Sequence, residues 1–454
     1  MTGNNAGFSV CGTLMHTPSL GEVQIIETAL VSVDARGRIS GVHPPADPAY
    51  RKAKGAAKKS GSLIELQEGQ YLLPGMIDLH IHAPQWPQLG KALHLPLYEW
   101  LQQCTFPLEA RYADLDFAER SYRSLVENLL ANGTTTAMYF GTVHLEATKL
   151  LAEICADQGQ RGLVGKVAMD NPDECPEYYR DPTTREGLDD TCALIEYIRG
   201  MDGNDSGLVQ SAVTPRFIPS CTDEMLQGLG RIADEYGCHV QTHCSESDWE
   251  HNYVLERHGI RDTQSLDNFA LLTGKTVLAH SNLISDDDMQ TIRRNNSGIA
   301  HCPMSNFYFA NAVFPARRAL DLELDVGLGT DISGGAHPSM LHNCHIAVTS
   351  SRALEDGVDP RRSAESRGAP GERIDFKEAF WMATTGGARA LDLEIGQFKK
   401  DYAFDAIVVD ANVPDTNLIV WDEIDSLEDV LQKIIYNAER RNITKVWVQG
   451  RLVK

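Results

Sequence analysis

Short β-rich runs alternate with longer helix-like segments through most of the chain, and this alternation restricts the fold more than any other feature. Eight such runs follow one another: LLPGMIDLHIH, TTTAMYF, GLVGKVAMD, VQSAVTP, HVQTH, KTVLAH, SGIAHCP and DVGLGTD. Each is followed by polar or helix-like sequence, which is typical of parallel strands joined by crossover helices. The pattern predicts an α/β protein with a (β/α)8 TIM-like barrel over residues 74–400.

The two ends of the chain are β-rich without the intervening helices. Near the N-terminus, VQIIETALVSVDARGRISGV contains the turn sequence DARG, and FDAIVVD and ITKVWVQGRLV near the C-terminus are again β-rich. We therefore expect a small β-sandwich domain built from both chain termini, residues 1–73 and 401–454. The lysine-rich segment 50–61 and the polar segment 355–373 are interpreted as solvated loops.

Composition excludes several classes of protein. With 41 Lys and Arg against 63 Asp and Glu, the formal charge is -22, so nucleic acid is an unfavourable partner. There is no apolar run long enough for a membrane span, and the N-terminal sequence MTGNNAGFSVCG lacks the features of a signal peptide. The ten cysteines include no Cys-x-x-Cys pair, which favours reduced thiols. We expect a cytoplasmic protein with no membrane partner.

Polar residues recur where the predicted strands end. His80 and His82 are two residues apart, so in a strand their side chains share one face, which in a barrel is the interior. His243, His280 and Asp331 end or directly follow three other predicted strands. Because a barrel builds its active site at the carboxyl ends of its strands, these five side chains are expected to converge at one mouth. Burying them there is unfavourable unless they are paired or bind a metal.

Imidazoles together with a carboxylate suit Zn²⁺ or another divalent first-row ion. Such an ion lowers the pKa of bound water to about 7, so hydrolysis is the chemistry that this set of residues predicts. Glu246 lies three residues after His243, where a turn leaving the strand can carry its carboxyl group over the mouth as a proton shuttle.

The spacing resembles the amidohydrolase superfamily, whose members carry His-x-His on strand 1, histidines on strands 5 and 6, and an aspartate on strand 8. His80, His82, His243, His280 and Asp331 match this set in order, and the similarity spans nearly the whole chain. MIDLHIHAPQ, LPLYEWL, NGTTTAMYF, VTPRF, AHCPMSN, GLGTDISGG and FDAIVVD are similar to the guanine-deaminating members in particular. The resemblance implies hydrolysis of guanine to xanthine and ammonia in purine catabolism, by a homodimer.

The resemblance also implies roles for individual residues. One zinc ion per chain would be held by His80, His82, His243 and Asp331. His280 would lie beside the attacking water, Glu246 would protonate the ring nitrogen next to the amino-bearing carbon, and Asp331 would take the proton of the water. The purine-binding positions would be Gln85, Arg216, Phe217, His243 and Glu246. An amide and a guanidinium suit the polar edges of a purine, and an aromatic ring suits its face.

Three stretches depart from the pattern of the family and leave other functions open. Ser281 replaces a usual glycine, FYFANAVFP follows HCPMSN, and a His337-Pro338 pair lies in the loop after Asp331. A pterin or triazine deaminase therefore remains an alternative. A two-metal cyclic amidase would need a lysine at the end of strand 4, and Lys166, one strand earlier, is the nearest candidate. An inactive barrel that acts as an interaction scaffold is the alternative from a different class.

Overall fold

The computed structural model describes residues 7–454. Residues 1–6 lie outside the described range. They belong to the predicted β-domain and to the N-terminal sequence for which no signal peptide was predicted. The strands are β1 (Phe8–Ser19), β2 (Glu22–Val33), β3 (Ile39–His43), β4 (Leu63–Glu65), β5 (Gln70–Pro74), β6 (Met76–His82), β7 (Thr134–Phe140), β8 (Arg161–Gly165), β9 (Val167–Ala168), β10 (Val209–Pro215), β11 (His239–Cys244), β12 (Thr276–His280), β13 (Gly298–His301), β14 (Asp325–Leu328), β15 (Ala406–Asp410), β16 (Ile443–Val448) and β17 (Arg451–Leu452).

The helices surround these strands. They are α1 (Tyr50–Ser60), α2 (Leu97–Trp100), α3 (Phe106–Glu109), α4 (Leu115–Ala131), α5 (Leu145–Gln158), α6 (Thr184–Arg199), α7 (Asp223–Tyr236), α8 (Asp248–His258), α9 (Asp262–Asn268), α10 (Asp286–Arg294), α11 (Pro303–Ser305), α12 (Ala316–Asp321), α13 (Met340–Asp356), α14 (Phe376–Trp381), α15 (Gly387–Ala390) and α16 (Leu427–Asn437). Within residues 7–454, no helix combines the length and apolar character that crossing a membrane requires.

The barrel predicted from the alternating pattern is confirmed. Its strands pair in the order β6, β7, β8, β10, β11, β12, β13 and β14, with all pairs parallel and with β9 beside β10. The backbone N–H of Asp331 donates to the carbonyl of His80 at 2.8 Å, and the N–H of His82 donates to the carbonyl of Ile332 at 3.0 Å. These two hydrogen bonds bring the end of the last strand against the first at the carboxyl mouth.

The first predicted run, LLPGMIDLHIH, is divided between two sheets. Strand β5 pairs with β1 and β15, whereas β6 pairs with β7 in the barrel. Gly75 lies between them, and a Cβ atom at this position would be 2.2 Å from the side chain of Thr135. The chain can pass from one sheet to the other at this point because glycine has no side chain.

The small sheet contains both chain ends, as the sequence predicted. Its order is β17, β16, β15, β5, β1, β2 and β3, with β4 pairing β1, so β15 to β17 from the C-terminus continue the N-terminal strands. Phe404 and Trp447 pack with Leu14 in its core. A buried ion pair between Arg161, the first residue of β8, and Asp405 joins this sheet to the end of the barrel opposite the mouth, with an N–O distance of 3.2 Å.

The prediction of a loop at the lysine-rich segment is wrong, because residues 50–60 form helix α1. Its alanines, lysines and arginine all have high helix propensity, and Gly61 ends it in the left-handed conformation with φ of 72°. The helix is anchored by the buried Ala57 and by the Tyr50 hydroxyl, which donates to the Thr28 carbonyl at 2.9 Å. Local propensity and these few contacts outweigh the repulsion between the basic side chains.

Candidate active site

Five polar side chains from four strand ends meet at the mouth of the barrel. Strand β6 carries His80 and His82, β11 carries His243, His280 is the last residue of β12, and Asp331 follows β14 by three residues. All five are buried. The structure therefore brings together the residues that were expected to converge, for the reason given from the sequence: parallel strands place their carboxyl ends at one edge.

The nitrogen and oxygen atoms of this cluster are close enough to share one cation. Candidate ligand atoms of His80, His82 and His243 lie within 4.8 Å of one another, and the Nε2 atoms of His82 and His243 are 3.0 Å apart. Asp331 Oδ1 is 3.2 Å from His80 Nε2 and 3.5 Å from His82 Nε2. The Nδ1–H of His243 donates to the carbonyl of Arg216 at 2.6 Å, which leaves the lone pair of Nε2 directed at the cluster.

The electrostatics of the cluster also fit a metal ion. Although Asp331 Oδ1 is 3.2 Å away, buried His80 Nε2 has no partner in the described chain that meets hydrogen-bond geometry. Burial lowers the pKa of His80, His82 and His243 well below the usual value, and the neighbouring imidazoles lower it further. The rings are therefore neutral near pH 7, which is the form that binds metals. A divalent cation would satisfy lone pairs that otherwise face one another in a buried space.

Glu246 lies where the turn after β11 was expected to carry it. Its Oε1 atom is 3.8 Å from His280 Nε2, and the side chain is buried. Burial raises the pKa of the Glu246 carboxyl group well above its usual value, and the charge of Asp331 raises it further. Its backbone is also held, since its N–H donates to Glu250 Oε2 at 2.5 Å and its carbonyl accepts from Asn282 Nδ2 at 2.9 Å. Glu246 is thus a positioned carboxyl group whose surroundings favour its protonated form.

One cavity joins this cluster to the expected purine-binding residues. Its lining consists of His82, Gln85, Leu97, Trp100, Leu101, Arg216, Phe217, His243, Glu246, Phe309, Asp331 and Gly334. Three of these come from the LPLYEWL motif, which forms α2 and the turn that follows it. The apolar walls provide flat contact for a heterocycle, whereas the polar groups lie at its edges.

Three buried polar residues of the site were not predicted from the sequence. Asp78 accepts from the backbone N–H of Thr330 at 2.9 Å and from its hydroxyl at 2.5 Å, and so ties β6 to the segment before Asp331. Its position two residues before His80 places it on the same strand face, a signal that could have identified it. Glu109 contacts Gln85 and Arg216, and Asn306 contacts His280. No local pattern distinguishes Glu109 from an ordinary helical glutamate.

Left-handed backbone conformations are concentrated at the mouth. His280, Ser281 and Asp331 have φ values of 66°, 53° and 49°. Position 281 is the one where a glycine was expected from the family, and a serine there costs about 1–2 kcal/mol of backbone strain. The N–H of Ser281 donates to the carbonyl of Cys244 at 2.9 Å and so holds the ends of β11 and β12 together.

The other two departures from the family affect the site unequally. In FYFANAVFP, Phe309 lines the cavity and packs 5.0 Å from Trp100 between ring centroids, whereas Phe307 and Tyr308 are exposed. His337 is not part of the cavity lining, and its ring packs against that of His342 with 4.4 Å between ring centroids. The departure that bears on substrate shape is therefore Phe309.

Lys166, the nearest candidate for the carboxylated lysine of a two-metal amidase, has another partner. It is fully buried, and its Nζ atom lies 2.5 Å from Asp181 Oδ1 and donates to the Val167 carbonyl at 3.3 Å. Its Nζ atom is thus already occupied by a buried carboxylate and a carbonyl, and it does not lie in the cluster where a bridging carboxylated lysine would be needed. This arrangement disfavours the two-metal alternative.

Comparison with known proteins gives matches over nearly the full length. The Amidohydrolase family model matches residues 71–453. A probable guanine deaminase of Schizosaccharomyces pombe is 37% identical over 448 residues, covering 97% of this chain and 82% of that protein. The guanine deaminase of Homo sapiens is 36% identical over 449 residues, covering 97% and 95%. Guanine deaminase from C. acetobutylicum, solved with guanine bound in its active site, has a TM-score of 0.87 at 30% identity and covers 99% of this chain and 100% of its own.

Proposed function

The chain belongs to the amidohydrolase family, and from this premise we propose that it is an enzyme that deaminates guanine by hydrolysis. Water replaces the 2-amino group, and the products are xanthine and ammonia, so the enzyme is a hydrolase acting on the carbon–nitrogen bond of a cyclic amidine. The observation that carries the proposal is that one cavity has two sets of lining residues. One set is His82, His243 and Asp331 of the cluster with Glu246, and the other is Gln85, Arg216 and Phe217. A molecule bound in this cavity would therefore contact both the residues proposed for hydrolysis and the residues proposed for purine recognition.

We propose that His80, His82, His243 and Asp331 hold a single zinc ion. Support comes from the converging neutral imidazoles, the adjacent carboxylate and the unpartnered nitrogen of His80, which together form a donor set that zinc favours. When bound, such an ion lowers the pKa of a coordinated water to about 7 and so makes a nucleophile available at neutral pH.

Glu246 is proposed as the general acid. Burial raises the pKa of its carboxyl group, which favours the protonated form that a general acid needs, and the side chain lines the cavity. Glu246 gives its carboxyl proton to the ring nitrogen next to C2, which makes C2 more electrophilic when water attacks. Asp331 takes the proton released by the attacking water and passes it to the amino group, which leaves as ammonia when its bond to C2 breaks. The remaining hydroxyl proton at C2 returns to Glu246 as the carbonyl of xanthine forms, so both carboxyl groups end in their starting states.

His280 is proposed to orient the attacking water. Its Nδ1–H donates to Asn306 Oδ1 at 2.9 Å, so the unprotonated Nε2 faces Glu246 and Asp331. This lone pair can accept a hydrogen bond from the water and direct it towards C2.

The substrate is held by groups that match the edges of a purine. Gln85 and Arg216 provide amide and guanidinium groups, and the ring of Phe217 supplies an apolar face. His243 and Glu246 contact the side that reacts. A cytoplasmic location is proposed from the N-terminal sequence, and a homodimer from the resemblance to the family. Size-exclusion chromatography with light scattering tests the dimer.

The direct test is carried out on purified protein. Metal content is measured first, and ammonia release is then followed from guanine, adenine, pterin and an aminotriazine side by side. About one zinc ion per chain and turnover of guanine well above the other substrates are expected. Turnover of pterin or the triazine without turnover of guanine would overturn the substrate assignment, and two ions per chain would overturn the mononuclear site.

A further inference from the structure

A buried carboxylate lies behind the proposed purine-binding residues. Glu109 is the last residue of α3, and its side chain is fully buried. Its Oε1 atom accepts from Gln85 Nε2 at 2.8 Å and from Arg216 Nη2 at 3.1 Å, and its Oε2 atom accepts from Arg216 Nη1 at 2.7 Å. Gln85 and Arg216 line the cavity, whereas Glu109 is not part of the lining. Glu109 therefore acts on a bound molecule only through these two side chains.

The contacts of Glu109 determine which atoms Gln85 presents. A carboxylate only accepts hydrogen bonds, so the amide nitrogen of Gln85 must face Glu109. The amide oxygen accepts from the backbone N–H of Ser333 at 3.1 Å, which holds the other end of the amide group. Gln85 thus offers one remaining N–H and one remaining lone pair in a single orientation.

Glu109 also compensates the positive charge of the Arg216 guanidinium. The guanidinium is bound in a two-point contact, lies 5.2 Å from the ring centroid of Phe106, and is 2% exposed. Burial by itself lowers the pKa of Arg216, but the charge of Glu109 and its hydrogen bonds more than offset this and raise it. Arg216 therefore remains a cation whose charge is compensated before a ligand arrives.

We propose that Glu109 is a positioning residue that compensates the positive charge of Arg216, so that the Arg216 side of the cavity favours a neutral purine over an anionic one. The inference rests on the proposed function, because it concerns the substrate and product of that reaction. Xanthine is more acidic than guanine, since both of its pyrimidine-ring N–H groups are adjacent to carbonyl groups. A buried cation without its carboxylate would attract the xanthine anion and slow its release.

The test compares binding of xanthine with binding of hypoxanthine, a less acidic oxopurine that lacks the 2-oxygen. Calorimetry gives Kd values for wild type and Glu109→Gln, from slightly acidic to slightly alkaline pH. In Glu109→Gln, we expect the affinity ratio of xanthine to hypoxanthine to rise by about tenfold, increasingly so at higher pH. A loss of packing alone would weaken both ligands equally and leave the ratio unchanged, and an unchanged ratio overturns the proposal.

Two further variants isolate the charge. In Glu109→Gln with Arg216→Met, the cation is gone as well, and the ratio should return to near the wild-type value. Glu109→Asp retains the charge, so binding of both ligands should weaken while the affinity ratio stays at the wild-type value. This variant is used if Glu109→Gln does not fold, and a changed ratio in Glu109→Asp would then overturn the proposal. A matched control is Asp405→Asn, which removes the carboxylate of another buried arginine pair at the opposite end of the barrel and should leave the ratio unchanged.

These binding measurements are independent of turnover, so the two proposals fail separately. Suppose that the affinity ratio rises in Glu109→Gln as expected but the wild-type protein does not deaminate guanine. This result would refute the proposed reaction and support the role of Glu109. Guanine turnover by wild type together with an unchanged ratio in Glu109→Gln would refute the role of Glu109. Failure of wild type to bind either oxopurine would overturn the purine cavity and the inference with it.

Discussion

The Nδ1 atom of His280 lies 2.9 Å from the side-chain oxygen of Asn306, and both residues are buried. An amide oxygen can only accept, so the proton of the imidazole is held on Nδ1 and Nε2 is left with its lone pair. Asn306 follows strand β13, and His280 ends strand β12. A residue that follows α11, in the loop after β13, thus sets the tautomer of a proposed catalytic residue on the neighbouring strand β12.

Asn306→Leu should slow turnover without removing the metal. Leucine is similar in size but cannot accept the Nδ1 proton, so the tautomer and orientation of His280 are no longer determined. We expect kcat to fall about 10- to 100-fold, the range found for residues that orient catalytic or metal-binding histidines. Steady-state kinetics and metal analysis on the same preparation check this. Loss of the metal together with activity would show that Asn306 supports the whole cluster and not His280 alone.

Glu246→Gln should keep the metal and lose most of the activity. Glutamine preserves the shape of the side chain but has no carboxyl proton to give to the purine ring. Turnover is expected to fall by about two orders of magnitude or more, with metal content unchanged. Near-normal turnover in this variant would exclude Glu246 as the general acid.

His243→Ala should lose metal and activity together. The ring of His243 is oriented by its bond to the Arg216 carbonyl, and its Nε2 is 3.0 Å from that of His82. Alanine removes one proposed ligand, so metal analysis after dialysis should find far less than one ion per chain. A stoichiometric ion in the dialysed variant would argue against His243 as a ligand. His239→Asn, at the start of the same strand, is a control that should retain the metal.

Acid should destabilise the small sheet through His16. The backbone N–H of Phe398 donates to His16 Nδ1 at 3.2 Å, so the ring must be neutral, and burial lowers its pKa to about 4. The unfolded chain binds a proton near pH 6.5 and the folded chain does not. The stabilising contribution is therefore complete above about pH 6.5, is lost as the pH falls towards about 4, and amounts to about 3 kcal/mol.

The measurement for His16 is thermal unfolding from about pH 7 to about pH 4. His16→Phe keeps an aromatic ring beside Phe398 but does not titrate, so its melting temperature should be lower near neutral pH and should fall less steeply with acid. Parallel curves for wild type and variant would show that His16 is not the group responsible.

Much of the reaction centre could be predicted before any tertiary contact was known. The two-residue spacing of His80 and His82 places both side chains on one strand face, and strands in a barrel place their carboxyl ends together. His243, His280 and Asp331 could be identified because each follows an apolar run in which a polar residue is unfavourable without a partner. These are properties of the backbone period and of burial, which a sequence displays directly.

The sequence by itself therefore determined the barrel, the sheet made from both chain ends and the convergence of His80, His82, His243, His280 and Asp331 at one mouth. Only the tertiary structure decided that Glu109 lies behind Gln85 and Arg216, that Asn306 orients His280, and that the lysine-rich segment is a helix. The physical reason is the range of the interactions. Periodicity and strand ends are local features of the chain, whereas a buried charge is matched by a partner 107 positions away, and nothing near either residue in the sequence identifies the other.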